Sequence, residues 1–143
     1  MWKKETTIKL KGVRINALWN AHTDVANWAK WQKQIEWTKT DGTMQKGAKF
    51  TIKPKGAPKV KLEVMTFDKP RQFTDLSYLP LAKMYTTTLM EETEKGVSIQ
   101  LRIEMKGILT FLWKRLVAKD ILEGHLQQNK DMVRYIQSLE NES

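Results

Sequence analysis

The sequence predicts an α+β fold in which one antiparallel sheet is covered by a long C-terminal helix. After residue 34, six successive segments separated by turn residues are predicted to be strands, and in most of them apolar residues recur at every second position, which is typical of strands with one dry face. From Trp113 to Leu139 the apolar residues recur at steps of three or four, which places them on one side of a helix. Because each strand has a single dry face, we expect the helix to cover that side of the sheet.

The order of the elements follows from the alternating segments and the turns between them. Thr6, Ile8 and Leu10 alternate with polar residues and predict a first strand, which ends at Gly12. Two short helices are predicted next, over residues 14–21 and 25–31. The further strands are predicted near residues 34–41, 49–53, 59–64, 71–78, 84–91 and 97–106. The short turns between them predict antiparallel neighbours, and the length suits a single domain over residues 1–143.

The composition excludes several kinds of site. There is no cysteine, and the two histidines, His22 and His125, have no second histidine at ligand spacing, so we expect no zinc site and no other metal or cofactor. No apolar run approaches the roughly 18 residues of a membrane-spanning helix, and the first residues lack the apolar centre of a signal peptide. These features predict a cytoplasmic protein.

The chain is basic, with 25 Lys and Arg against 16 Asp and Glu and a net charge of +9. Six lysines fall on or beside the polar faces of neighbouring predicted strands: Lys46, Lys49, Lys53, Lys55, Lys59 and Lys61. Nucleic-acid-binding surfaces interleave aromatic residues with such charge, whereas the aromatics here alternate to the other face. We therefore expect a solvated face and no specific nucleic-acid binding, with weak contact with an anionic membrane surface as the alternative.

The predicted C-terminal helix carries an apolar stripe with a gap in its middle. Its members are Trp113, Val117, Ile121, Gly124, Gln128, Met132, Tyr135 and Leu139. A glycine inside a helix costs about 1 kcal/mol relative to alanine, and a helix that sealed a solid core would carry large apolar residues throughout. Gly124 therefore indicates either a close approach of the helix to the sheet or space for a cavity. Gln128 either bonds a strand backbone or contacts a ligand.

This order of elements resembles the helix-grip fold of the SRPBCC superfamily, which includes START, pollen-allergen and polyketide-cyclase proteins. The resemblance is carried by Ala17-Leu18-Trp19 to Asp24, Trp28, Trp31, Gly47, Phe50, the segment from Val64 to Pro70, Phe73, and Gly107 with the helix after it. It covers nearly the whole chain and is greatest to the bacterial polyketide cyclase/dehydrase-like branch. It implies a curved seven-stranded antiparallel sheet with two short helices and a long C-terminal helix across its concave face.

The resemblance also implies a cavity between the sheet and the long helix that holds a small hydrophobic or amphipathic ligand. The positions that would contact the ligand are Trp31, Phe50, Ile52, Leu62, Val64, Leu101 and Ile103 below the helix, and Gly124, Gln128 and Met132 on it. Tyr78, Leu79 and Leu81 belong to a loop that matches a gate in hormone-receptor members, although burial of the two leucines under a neighbouring segment is an equal alternative. The loop does not copy the receptor signature, so we expect no hormone sensing. The protein is expected to be a monomer or a homodimer.

A cyclase- or dehydratase-like enzyme is the alternative function, and it needs at least one acid or base that faces the cavity. The candidates are His125, Asp120, Gln128, Tyr78 and Tyr85. His125 and Asp120 fall on opposite flanks of the stripe, so we expect His125 to be structural or solvent-exposed. His22 is expected to lie in a capping turn. No catalytic residue of the superfamily can be transferred to this chain, and binding without catalysis is the favoured interpretation.

Overall fold

Seven strands form one antiparallel sheet in the computed structural model, which describes residues 1–142. The strands are β1 (Trp2–Leu10), β2 (Ile35–Thr40), β3 (Lys49–Pro54), β4 (Val60–Asp68), β5 (Gln72–Leu79), β6 (Ala82–Thr93) and β7 (Gly96–Lys106). Their order across the sheet is β1-β7-β6-β5-β4-β3-β2, with every neighbouring pair antiparallel. The predicted meander is confirmed. The first strand begins at Trp2 rather than Thr6, because it pairs with β7 from Trp2 to Leu10.

The two short helices predicted between the first and second strands are present. They are α1 (Ile15–Thr23) and a 3₁₀ helix (Val25–Lys30). The indole Nε1–H of Trp28 donates to the carbonyl oxygen of His22 at 2.8 Å, which fixes the second helix against the end of the first. Together they carry the chain from one edge of the sheet to the other.

The closing helix is not continuous, so the prediction of one helix from Trp113 to Leu139 is wrong in this respect. The segment consists of α2 (Thr110–Trp113), a π-helical turn (Lys114–Ala118), α3 (Lys119–Glu123) and α4 (His125–Glu142). In the π-helical turn the backbone N–H of Lys119 donates to the carbonyl of Lys114, five residues back instead of four. Gly124 then separates α3 from α4.

These interruptions change which residues of α4 face inward. The buried residues of α4 are His125, Asn129, Met132 and Ile136. Of the predicted stripe, Gln128 and Tyr135 are only half-buried and Leu139 is 47% exposed. The stripe assumed an unbroken helical period, whereas one extra residue in a turn rotates all later residues by about 100°.

The main core lies on the inner face of the sheet, defined as the face toward α1 and α4. Every second residue from Val97 to Met105 is buried there, while the residues between them are half-buried. Trp19 of α1 packs edge-on against Phe67 and Phe73, with ring centroids 5.3 Å and 6.3 Å from its own. Such edge-to-face contacts add to the free energy of burying the rings.

Three of the tryptophans lie in the core at one end of the sheet. Trp19, Trp28 and Trp31 are buried, and Trp28 contacts Phe50 edge-on at a centroid distance of 5.5 Å. Trp37 is instead 40% exposed on edge strand β2. These aromatic rings close one side of the space below α4.

Candidate functional site

A cavity of about 150 Å³ lies between the inner face of the sheet and the helices α3 and α4. Its apolar wall includes Trp28, Trp31, Ile52, Leu62, Met84 and Leu101. Its polar wall includes His22, Asp75, Ser77, His125, Gln128 and Asn129. A space walled in this mixed way suits a molecule with one apolar and one polar part.

Asp75 is the acidic group of the cavity wall. It lies on β5, paired in register with Val64 and Thr86, and its side chain turns toward the helices with those of Phe73 and Ser77. Asp75 is buried, and within residues 1–142 its carboxyl has no hydrogen bond or ion pair. Burial raises the pKa of Asp75 from 3.8 to about 7. A carboxyl in this setting can donate a proton or a hydrogen bond near neutral pH.

His22 brings a second titratable group to the same cavity. Its ring lies edge-on to Phe73, with the centroids 5.4 Å apart, and tilted against Trp28 at 6.4 Å. Burial, with a smaller contribution from nearby His125, lowers the pKa of His22 to about 4. The imidazole is therefore neutral at physiological pH, and its environment shifts its pKa in the direction opposite to that of Asp75.

His125 is the third titratable residue of the wall, and both of its ring nitrogens have partners. Nε2 lies 3.3 Å from the backbone oxygen of Ile99, and Nδ1 lies 3.0 Å from the side-chain nitrogen of Asn129. Burial lowers the pKa of His125, while the bond with Ile99 acts in the opposite direction. His125 was expected to be either structural or solvent-exposed. The structure shows the first, because the ring is buried and its contact with Ile99 links α4 to β7.

Five of the residues predicted to bind ligand line the cavity. They are Trp31, Ile52, Leu62, Leu101 and Gln128. Within the described chain the indole N–H of Trp31 is buried without an acceptor, and the Gln128 amide bonds no strand backbone. Contact of these five with a ligand stays a prediction.

The remaining predicted binding residues lie elsewhere. Phe50, Val64, Ile103 and Met132 are buried in the core around the cavity without lining it. Gly124 faces neither the cavity nor the sheet, since a Cβ placed there would meet only the backbone oxygen of Asp120, at 3.0 Å. Gly124 thus marks the break between two helices, which neither of the two sequence interpretations included.

The hairpin between β5 and β6 holds the last three predicted residues, and it does not contribute to the cavity wall. Tyr78 is exposed on the outer face, where its hydroxyl donates to Glu63 Oε1 at 3.4 Å. Leu79 is half-buried and packs against core residues at that end of the sheet. Leu81 is 65% exposed. Of the acid–base candidates, Asp120 is exposed and Tyr85 lies on the outer face below Lys106.

The predicted lysine face is interrupted by acids. Lys53 Nζ lies 3.3 Å from Glu36 Oε2, and Lys49 is paired in register with Glu63. This interspersed charge fits the solvated face that the alternation favoured.

Sequence reasoning missed Asp75, His22 and Asn129 as cavity residues. Asp75 stands between Phe73 and Ser77 at period-two spacing, which was the one available signal for its inward direction. That signal was weak because residues 73–77 are all buried, so β5 shows no dry and wet alternation. Asn129 was missed because the helical phase was taken from an unbroken stripe.

Among the residues that the structure describes, no group of three acidic, histidine or cysteine side chains could hold a metal ion. No helix within residues 1–142 combines the length and the apolar character that a membrane span requires.

Comparison with solved structures places this arrangement among known folds. Ara h 8.0201 is 15% identical with a TM-score of 0.73, over 96% of this chain and 97% of that one. Norcoclaurine synthase from Thalictrum flavum, in a complex with dopamine and hydroxybenzaldehyde, is 14% identical with a TM-score of 0.67, over 99% and 88%. The di-domain ARO/CYC StfQ from the steffimycin biosynthetic pathway is 13% identical with a TM-score of 0.68, over 95% and 50%. No protein-family profile and no curated protein matches the chain.

These likenesses confirm the helix-grip fold, which is the fold of the SRPBCC superfamily. At such low identities they show the fold alone, and they do not show membership in a superfamily or in any branch of one. Membership in the SRPBCC superfamily, and in its polyketide cyclase/dehydrase-like branch, stays a prediction.

Proposed function

We propose that this protein binds a small amphipathic molecule in the cavity below α4. The observation that carries the proposal is the carboxyl of Asp75, which is buried in the cavity wall without a hydrogen-bond partner in the described chain. A buried polar group without a partner costs free energy, and a ligand with a hydrogen-bond donor would remove that cost.

The cavity volume limits the size of the ligand. At about 150 Å³ the cavity is smaller than the pockets that hold drug-sized molecules, which start at about 300 Å³. An apolar cavity of roughly this volume holds a molecule such as benzene. The proposed ligand therefore has about one ring, which packs against Trp28 and Trp31, and a polar end that reaches Asp75.

Binding of three probes of one ring size tests the proposal. Toluene, benzyl alcohol and benzylamine differ in their polar end, and their dissociation constants can be measured by NMR titration. We expect benzylamine and benzyl alcohol to bind more tightly than toluene. Asp75→Asn should weaken the binding of benzylamine by about 10-fold or more, since hydrogen bonds to charged groups contribute about 1.5–3 kcal/mol. The same substitution should leave the binding of toluene almost unchanged.

A substitution that fills the cavity provides the second arm. Thr86→Phe adds four heavy atoms to a wall residue and should abolish binding of all three probes. Gln100→Phe, on the outer face of β7, is the matched control and should leave binding unchanged. Binding that survives Thr86→Phe would place the probes outside the cavity and contradict the proposal.

A cyclase- or dehydratase-like enzyme is the second candidate. The favouring observation is that Asp75 and His22 face one cavity with pKa values of about 7 and about 4, which separates an acid from a neutral base. The StfQ likeness is consistent with this chemistry.

Exchange of the α-protons of a small β-diketone, acetylacetone, into deuterated water tests for such proton transfer. An enzyme should accelerate the exchange, and both Asp75→Asn and His22→Gln should abolish the acceleration. Exchange at the buffer rate with the native chain would count against the enzyme and leave the binding proposal intact.

A further inference from the structure

Large apolar side chains are exposed together at one end of the molecule. Among residues 1–142, ten large apolar side chains are exposed, and five of them belong to this cluster, here called the apolar tip. The apolar tip consists of Leu81, Ile108, Phe111, Leu112 and Leu116. Exposed apolar residues are ordinary when they are scattered, but a cluster of them marks an interaction surface.

The apolar tip is a built structure rather than a loose end. The backbone N–H of Leu109 donates to the carbonyl of Leu81 at 3.1 Å, and the indole of Trp113 donates to the carbonyl of Pro80 at 2.8 Å. Gly107 lets the chain pass this closely, because a Cβ there would lie 2.6 Å from the Leu81 oxygen. The β5–β6 hairpin and the start of the closing helix therefore present their exposed side chains as one unit.

Leu81 occupies its position at a cost to the fold. It is the second residue of a two-residue turn after Pro80 and has φ of 55°, the left-handed region where glycine is usual. A leucine there is both strained and 65% exposed. Neither property helps folding, and backbone outliers of this kind concentrate at functional surfaces.

The charge around the apolar tip is predominantly positive. Between residues 106 and 120 the chain carries four basic residues and one acid, Asp120, and Lys83 adds a fifth basic residue. These five residues, called the basic cluster, are Lys83, Lys106, Lys114, Arg115 and Lys119. Lys83 and Lys106 are paired directly across β6 and β7, although like charges in that position destabilise a sheet. An anionic partner would offset this repulsion.

We propose that the apolar tip and the basic cluster dock this protein onto an anionic lipid bilayer. Apolar side chains would enter the headgroup region while the basic side chains contact lipid phosphates, as in interfacial segments that lie on a membrane without crossing it. A second copy of the chain fits less well, since a symmetric interface would set the basic cluster against itself. Nucleic acid would use the charge but not five exposed apolar side chains.

Sedimentation with lipid vesicles tests the proposal on the full chain. Vesicles of equal parts phosphatidylcholine and phosphatidylglycerol should bind the protein, and phosphatidylcholine vesicles should not. Binding should weaken steeply as salt rises from about 0.05 M to about 0.5 M. Leu81→Gly removes one apolar side chain and the backbone strain together, so it should weaken vesicle binding about 10-fold while the melting temperature stays or rises.

Two double variants with the same change in net charge test whether vesicle binding depends on this surface or only on the net charge of the protein. Arg115→Gln with Lys119→Gln should weaken binding about 25-fold, because each basic residue near an anionic bilayer contributes about 5-fold. Lys49→Gln with Lys61→Gln removes the same charge from the outer face of the sheet and should change binding less than about 3-fold. Equal losses from both pairs would overturn the proposal. So would failure to bind anionic vesicles, or a concentration-dependent dimer that Leu81→Gly abolishes.

Discussion

Asn129 donates to two acceptors of His125, one turn earlier in α4. The Asn129 amide nitrogen lies 2.7 Å from the His125 backbone oxygen and 3.0 Å from Nδ1 of the ring. The amide has two hydrogens, one for each acceptor, so Nδ1 must be unprotonated and Nε2 carries the hydrogen toward Ile99. One asparagine thus sets the tautomer and the direction of a histidine in the cavity wall.

Loss of the Asn129 amide should destabilise the fold. We expect Asn129→Ala to lower the free energy of unfolding by about 1–3 kcal/mol, because Nδ1 of His125 is left buried without a donor. Urea denaturation measures the change. Gln127→Ala is the matched control on the same helix, since its amide bonds Asp131 at 3.0 Å in an exposed contact and should cost less than about 0.5 kcal/mol. Equal losses in the two variants would contradict the role given to Asn129.

Asp75 should make stability fall as pH rises. Its pKa is about 7 in the folded chain and near 3.8 when unfolded, so between these values the folded state holds a proton that the unfolded state has lost. The stability of the native chain relative to Asp75→Asn should therefore decrease by up to about 4 kcal/mol between about pH 4 and pH 8. Unfolding free energies of the two chains across this range check it, and parallel curves would contradict the assignment.

His22 should act in the opposite direction. Its pKa of about 4 lies below the ordinary 6.5, so the unfolded state binds a proton first as pH falls, and stability decreases between about pH 6.5 and pH 4. In the native chain Asp75 largely offsets this loss. The Asp75→Asn chain should therefore show acid destabilisation of about 3 kcal/mol from His22, which adding His22→Gln should remove, leaving only the contribution of His125, whose pKa burial also lowers. Acid destabilisation that is as large in the double variant as in Asp75→Asn alone would show that His22 is not its source.

Gly107 should not tolerate a side chain. A Cβ would lie 2.6 Å from the Leu81 oxygen and 2.7 Å from the Ala82 Cα, at a φ of 122°. We expect Gly107→Ala to lower the free energy of unfolding by more than about 2 kcal/mol, and the melting temperature should fall with it. Gly12→Ala is the control, because φ there is also positive at 70° but no heavy atom lies within 4 Å, which limits the cost to about 1 kcal/mol. Thermal denaturation that ranks the two glycines equally would show that close packing is not the cause.

The fold could be predicted because most strands are dry on one face only. β7 is the clearest case, since its apolar residues alternate from Val97 to Met105 and all of them are buried. β5 was harder because its outer face is covered as well: Leu76 is buried, and the Thr74 hydroxyl lies 2.9 Å from that of Thr87. Because β5 has no solvent-exposed face, its apolar residues do not alternate with polar ones. The sequence therefore contained little indication that Asp75 faces inward.

The candidate site could be predicted only in part, for a related reason. Ile52, Leu62 and Leu101 come from strands with clear alternation, and they do line the cavity. The helix side depended on counting residues from Trp113 through a turn whose hydrogen bonds reach five residues back. Sequence periodicity contains no mark of that turn, so the stripe did not include His125 and Asn129 among the inward residues of α4.

The π-helical turn at Lys114–Ala118 also affects how this chain should be aligned with others of its fold. A π turn is equivalent to a one-residue insertion into an ordinary helix. A relative that lacks it would match this chain only with a single-residue gap within the turn. An ungapped alignment would pair Gln128 and Asn129 with positions one residue out of phase, so the residues compared as pocket-forming would face different directions. With a one-residue gap placed in the π-helical turn, the residues from His125 onward align with those residues of the relative that face the same direction.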